Sequence, residues 1–349
     1  MKYRLLAALC YCLHLTSFAT VILQYHHVSE ETPASTSISP KQFAKHMQYL
    51  EDNNFKVIPL STLIDAIKQH KALPDKTVAI TFDDAYIDIL THGKPILDKH
   101  GFAFTIFINP GMVGQNTSHF LSWQQLKAMA DDGVIIANHG MNHDSLARTP
   151  AGMTNKAWLA KNTESLLHAE KIIEAETGQS WRYLAYPYGE FSPEVQQWVN
   201  ENNFVGFSQQ SGAVGINTDL TSIPRFPASQ PYDQLSSLRD KLDSLPFSIR
   251  LDGVNQQTIF EQGESTSLSI NIDVDDFNPE QLNCYITGLG RQKILWQGEE
   301  VFTINYSAPL PTGRVRCNCT APSISKPGRY YWFSKPFFIQ EENRQWYPL

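Results

Sequence analysis

Residues 20–245 read as an α/β domain whose parallel strands curl into a distorted barrel, and residues 246–349 as a small all-β sandwich of the immunoglobulin-like kind. Three observations carry this reading. Strand and helix signatures alternate from Val21 to about Pro224, which calls for parallel strands joined by crossover helices. The number of such units favours a closed or nearly closed barrel over an open sheet. After about Leu245, Ser, Thr, Asn and Gln rise, and alternating runs such as Ser267-Leu268-Ser269-Ile270-Asn271-Ile272 and Tyr330-Tyr331-Trp332-Phe333 fall between Pro and Gly turns, as in an antiparallel sandwich.

The elements follow in order. Val21 to Tyr25 is an apolar strand, and Ser39-Pro40 sets an N-cap before a proline at the first helical position, opening a helix through Leu50. Phe55 to Pro59 is the next strand, and Ser61 caps a helix to about His70. A strand ending at Phe82 leads into a helix to His100, then the strand Ala103 to Ile108 and a helix from Ser122 to Asp132 that stops at Gly133. Val134 to Ala137 is a buried strand, and a long helix from Thr154 to about Thr177 ends at Gly178. Strands at Tyr183 to Tyr186 and Phe204 to Phe207 and a helix containing Leu235 to Leu242 complete the barrel, with the boundary between 244 and 248.

With 349 residues, 42% hydrophobic and 18% charged, the chain is long enough for one large domain and a smaller one. A formal charge of -7 without a Lys/Arg cluster argues against nucleic acid or an anionic membrane as partner. Residues 1–19 combine Lys2 and Arg4, the apolar segment Leu5 to Leu15 and the small-x-small ending Ser17-Phe18-Ala19, the pattern of a secretory signal peptide. No later segment is long and apolar enough for stable membrane insertion, so a periplasmic or secreted protein is expected. Without the leader, Cys284, Cys317 and Cys319 remain, enough for one disulfide and one spare thiol; either Cys317 or Cys319 could reach Cys284.

The chemistry gathers at strand ends. Asp83 and Asp84 close one strand, and His139 and His143 follow another, at a spacing that one helical turn would align on one side. One carboxylate and two imidazoles suffice to hold a catalytic divalent metal, leaving the second carboxylate as a base. The plainer readings are Asp83 as a helix N-cap and the histidines as unrelated loop residues.

Thr81-Phe82-Asp83-Asp84, His139 to His143 and Tyr186-Pro187-Tyr188-Gly189, in this order, resemble the polysaccharide deacetylases with a NodB-homology domain, carbohydrate esterase family 4, over about residues 20 to 240. Tyr25-His26-His27-Val28 and Ala185-Tyr186-Pro187-Tyr188-Gly189 look closest to the deacetylases of exported poly-N-acetylglucosamine. The resemblance implies Asp83 as general base and Asp84, His139 and His143 as ligands of a divalent metal, Zn2+ first, with Co2+ or Ni2+ as alternatives. It implies a substrate groove at Pro187 and Tyr188.

Two family residues are missing: Ala185 stands where an arginine usually orients the base, and no histidine follows His168 to serve as acid. His26, at the end of the first strand, is the candidate acid, with His27 beside it as the weaker one, and Arg225 the candidate substitute for the arginine. The expected activity is metal-dependent removal of N-acetyl groups from an N-acetylglucosamine-containing polysaccharide. Alternatives are an O-acetyl esterase on xylan-like glycans and a catalytically weak carbohydrate-binding or assembly protein. Trp296, Tyr330, Tyr331 and Trp332 offer either core aromatics or a docking face for glycan or protein.

Overall fold

The computed structural model describes residues 19–116 and 118–349; the leader expected at 1–19 lies, but for Ala19, outside them. Seven strands run parallel in the order Phe226–Pro227, Thr20–Tyr25, Thr77–Asp83, Thr105–Ile108, Ile135–Asn138, Tyr183–Ala185 and Val205–Phe207, and Lys56–Val57 pairs with Thr77–Asp83. The segment before Phe226 also bonds back to the far edge, through Phe207 and Ile223, which curls the sheet into a nearly closed, distorted barrel.

Strand alternation then sorts the side chains. Val21, Leu23 and Tyr25, with Val78, Ile80 and Phe82, face outward against Phe43, Met47 and Leu50 of the helix Pro40–Asp52 and Leu97 of Lys94–His100. Ile22, Ala79, Phe107, Ala137 and Ala185 face the interior, where Leu60, Leu63, Ile64 and Ile67 of the helix Leu60–Lys68 fill one end. Asp83 shares the parity of Thr77, Ala79 and Thr81, so the same alternation aims its carboxylate into the barrel at the C-terminal rim.

The helix starts follow the expected caps at Ser39, Ser122 and Thr154, whose hydroxyls accept from Gln42, Gln125 and Ala157 amides, and the long helix Asn155–Thr177 ends at Gly178 with φ 77°. Two expectations fail. Ser61 is not a cap: the helix begins one residue earlier, behind Pro59, because Leu60 already belongs to the buried stripe that anchors it, and it ends at Lys68. The helix before His100 is broken by a π-turn, Ile89–Gly93, just ahead of Pro95, which has no N–H to continue the ladder.

Beyond the barrel, two sheets enclose a second core. One contains Ser244–Pro246, Ile259–Glu261, Tyr330–Gln340, Gly313–Pro322, Asn283–Ile286 and Gly290–Gln292; the other Ile249–Arg250, Ser267–Ile272, Val301–Asn305 and Ile294–Trp296. Leu268, Ile270 and Phe302 from the second meet Ile286, Val315 and Phe337 from the first. The ladders are antiparallel except where Ser244–Pro246 and Ile259–Glu261 run parallel to Tyr330–Gln340, so the expected all-antiparallel pattern is only partly realised. Cys284 and Cys319 are register partners and form the disulfide, whereas Cys317 sits opposite Ile286 and stays a buried free thiol.

The aromatic run is used for packing. Trp332 stands edge-on to Phe226 of the barrel at 5.3 Å, Tyr331 stacks on Phe247 at 5.1 Å, and Trp296 lies 5.3 Å from Phe302. Tyr330 donates to the carbonyl of Asp240.

Candidate active site

Asp83, fully buried, ends its strand inside the rim and meets Arg225, equally buried, in a two-pronged pair: Nη1 donates to Oδ1 at 2.6 Å and Nη2 to Oδ2 at 2.8 Å. Arg225 is itself held by the Ser208 carbonyl, by Thr81 and over the ring of Phe107. Gln24 adds a third donor to Asp83, at 2.6 Å. Burial alone would push the Asp83 carboxyl up, but the Arg225 guanidinium, with smaller help from His139, outweighs it and holds the group below the ordinary carboxylate range.

Adjacent strand residues point apart, yet Asp84 faces the same pocket as Asp83 because its φ of 60° turns the chain at the strand end. Its Oδ1 lies 3.8 Å from His139 Nε2 and 3.7 Å from His143 Nε2, and one ligand atom from each of the three lies within 4.8 Å of the others. The helical turn expected across His139 to His143 does not form; positive φ at Gly140 (79°) and His143 (62°) folds the segment into a loop. Asn109 ties that loop down by donating to the carbonyls of His139 and Gly140, and the imidazoles meet with centroids 4.9 Å apart.

The donor set fits a divalent cation. His139 Nδ1 donates to the Ala185 carbonyl at 2.8 Å, which fixes the tautomer and leaves Nε2 as a bare lone pair, buried and without a hydrogen-bond partner. Burial keeps this imidazole neutral, down to about 3, and pushes the Asp84 carboxyl up to about 6; a bound cation would compensate both desolvated groups. Ala185 therefore serves through its carbonyl, at the position where its side chain offers nothing.

The remaining candidates separate. His26 Nε2 lies 3.9 Å from Asp83 Oδ2 with a fifth of its side chain exposed, so it borders the base without being sealed off from solvent. His27 is turned away: its Nδ1 pairs with Asp88 at 2.6 Å and its ring stacks on Tyr86 at 3.6 Å. Tyr188, φ 60°, stands edge-on to His143 at 4.3 Å, and Pro187 packs beside it in the interior, close to Gly140. Sequence reasoning misses Gln24, which has a signal as the one amide in an apolar strand, and Tyr86, two residues beyond Asp84, which has none.

Residues 70–207 match the polysaccharide deacetylase family. The poly-β-1,6-N-acetyl-D-glucosamine N-deacetylase of Staphylococcus aureus is 27% identical over 232 residues, 64% of this chain and 80% of that protein. A Streptococcus pyogenes deacetylase solved in complex with acetate superposes with a TM-score of 0.58 at 21% identity, over 65% of this chain and 99% of that one. IcaB from Ammonifex degensii gives 0.54 at 24% identity, over 64% and 97%. Residues 70–207 of the chain therefore carry a region similar to the polysaccharide deacetylases.

Proposed function

We propose that this protein is a metal-dependent hydrolase that removes N-acetyl groups from an N-acetylglucosamine-containing polysaccharide, releasing acetate and leaving a free amine. The observation that carries the reading is the pairing of a cation cage, Asp84, His139 and His143, with a carboxylate, Asp83, kept ionised by Arg225. A divalent cation held there, Zn2+ by its preference for mixed N/O donors, would polarise the acetyl carbonyl and acidify the attacking water. Asp83 would take the proton of that water, with Arg225 and Gln24 holding the carboxylate in one orientation. His26, 3.9 Å from Asp83, would give a proton to the departing amine nitrogen; burial lowers its imidazole, and the Asp83 and Asp84 carboxylates beside it oppose that loss. Tyr188 offers an aromatic wall to the sugar ring, backed by Pro187.

The likeness to a poly-β-1,6-N-acetyl-D-glucosamine N-deacetylase supports an N-acetylglucosamine polymer. An alkoxide leaves with less need of a proton than an amine does, so an imidazole beside Asp83 favours the amide substrate over an O-acetyl ester. We read residues 20–245 as the deacetylase domain and 246–349 as an immunoglobulin-like sandwich, supported by two cores on either side of that boundary. A periplasmic or secreted location is supported by the Cys284–Cys319 disulfide, which persists in oxidising compartments. Acetate release from defined N-acetylglucosamine oligomers and acetylated xylan, with and without chelator, tests the assignment. Faster turnover on xylan, or turnover indifferent to chelator, would overturn it.

A further inference from the structure

Glu190, fully buried, lies where three segments cross. Its carboxylate accepts from Ser145 Oγ at 2.8 Å, from Arg148 Nε at 2.7 Å and Nη2 at 2.6 Å, and from the Tyr347 hydroxyl at 2.8 Å, with Arg314 Nε 3.8 Å away. Ser145 is two residues beyond His143 and Glu190 two beyond Tyr188, so one carboxylate ties the histidine loop to the tyrosine loop. Tyr347 and Arg314 both come from the all-β unit. Arg148 is clasped from the same side: its guanidinium lies 4.2 Å from the Tyr347 ring centre and donates to the Tyr347 carbonyl.

Arg314 reaches further. Its Nη1 donates to the Tyr188 carbonyl at 3.4 Å and its guanidinium stands 6.0 Å from the Tyr188 ring, while 39% of the side chain stays exposed. Tyr188 needs such support, because a non-glycine residue at φ 60° holds that conformation only when its surroundings impose it.

We propose that the all-β unit is a working part of the active site: Tyr347, through Glu190, positions the loop carrying His143, and Arg314 positions Tyr188 and forms a cationic rim of the substrate groove. This rests on the reading of His143 as a metal ligand and Tyr188 as a groove residue. It gives the second unit a task in the barrel's reaction that does not depend on a glycan-binding surface of its own.

E190Q would strand buried guanidinium donors and endanger the fold, so the test uses Y347F, R314A and R314K in the full chain. Unfolding midpoint, Zn2+ affinity by competition with a chelating dye, and kcat and KM on N-acetylglucosamine oligomers are measured for each. Y347F should weaken Zn2+ binding, because Glu190 loses one of the donors that hold it against the loop carrying His143. R314A should lower kcat/KM for oligomers about tenfold or more, with Zn2+ affinity kept, and R314K should recover part of it. If Y347F and R314A both keep wild-type affinity and kinetics, whatever their unfolding midpoints, the proposal is wrong. If the wild type binds Zn2+ without releasing acetate and Y347F still weakens binding, the functional assignment fails while the positioning role stands.

Discussion

Replacing Arg225 by methionine keeps much of its volume and removes the charge that holds Asp83 ionised. Both side chains are fully buried and joined by two hydrogen bonds of 2.6 and 2.8 Å. Two charges about 4 Å apart at an effective dielectric of about 20 attract by about 4 kcal/mol, and breaking such a buried pair from one side typically costs about 3–5 kcal/mol. The variant should therefore melt lower by on the order of 10 °C. Gln24 keeps its bond to Asp83 and moderates the loss.

The pH dependence has a definite sign. In the wild type the folded carboxyl lies below its ordinary range, so its contribution is full above the unfolded value of about 3.9 and is lost as pH falls below that. Without Arg225 burial dominates and pushes the carboxyl up, so the stability gap between the two proteins should be widest at neutral pH and narrow towards about pH 4. A base that is protonated near neutrality works poorly: kcat/KM should fall about 100-fold or more and its acid limb move to higher pH, and Arg225→Lys should restore charge but not the two-pronged geometry. Thermal melts and acetate-release kinetics from about pH 4 to 8 test this. A variant with wild-type kcat/KM and a stability gap constant across that range would refute the reasoning.

His26→Gln should slow release of acetate from an amide by about 100-fold or more, yet spare an activated aryl acetate, whose leaving group needs no proton; equal losses on both would remove His26 as the acid. His139→Ala should lose bound Zn2+ by elemental analysis together with activity, since it supplies the buried, unpaired Nε2; full metal content would break the cage assignment. Lys335 is buried in the all-β unit, bonded weakly to the Gln256 carbonyl, and burial pushes its ammonium down to about 7. The unfolded chain then binds more protons than the folded one between about pH 7 and 10, so stability should rise with pH across that window. Lys335→Met should flatten that slope and stabilise the protein at neutral pH by about 1–3 kcal/mol in denaturant melts; an unchanged slope would contradict the burial argument.

What the chain alone determined is what depends on local pattern. Alternating strands and helices, the caps at Ser39, Ser122 and Thr154 and the stop at Gly178 are short-range signals read by backbone hydrogen-bond needs, and the structure carries each of them. The parity of the strand ending at Asp83 likewise follows from a two-residue repeat, so a carboxylate at the barrel rim was legible in advance. Tertiary structure decided everything that depends on bringing distant segments together. Asp84 turns into the pocket only through a left-handed backbone at the strand end, and the histidines converge by a loop that Asn109 fastens rather than by a helical turn. Arg225 reaches Asp83 across 142 positions of sequence, which only closure of the barrel beside the first strand makes short. The disulfide partner of Cys284 was fixed by strand register, and the meeting of Glu190 with Tyr347, 157 residues apart, by the docking of one core on another. No pattern of a few residues encodes such contacts, because their geometry is the sum of packing over the whole chain.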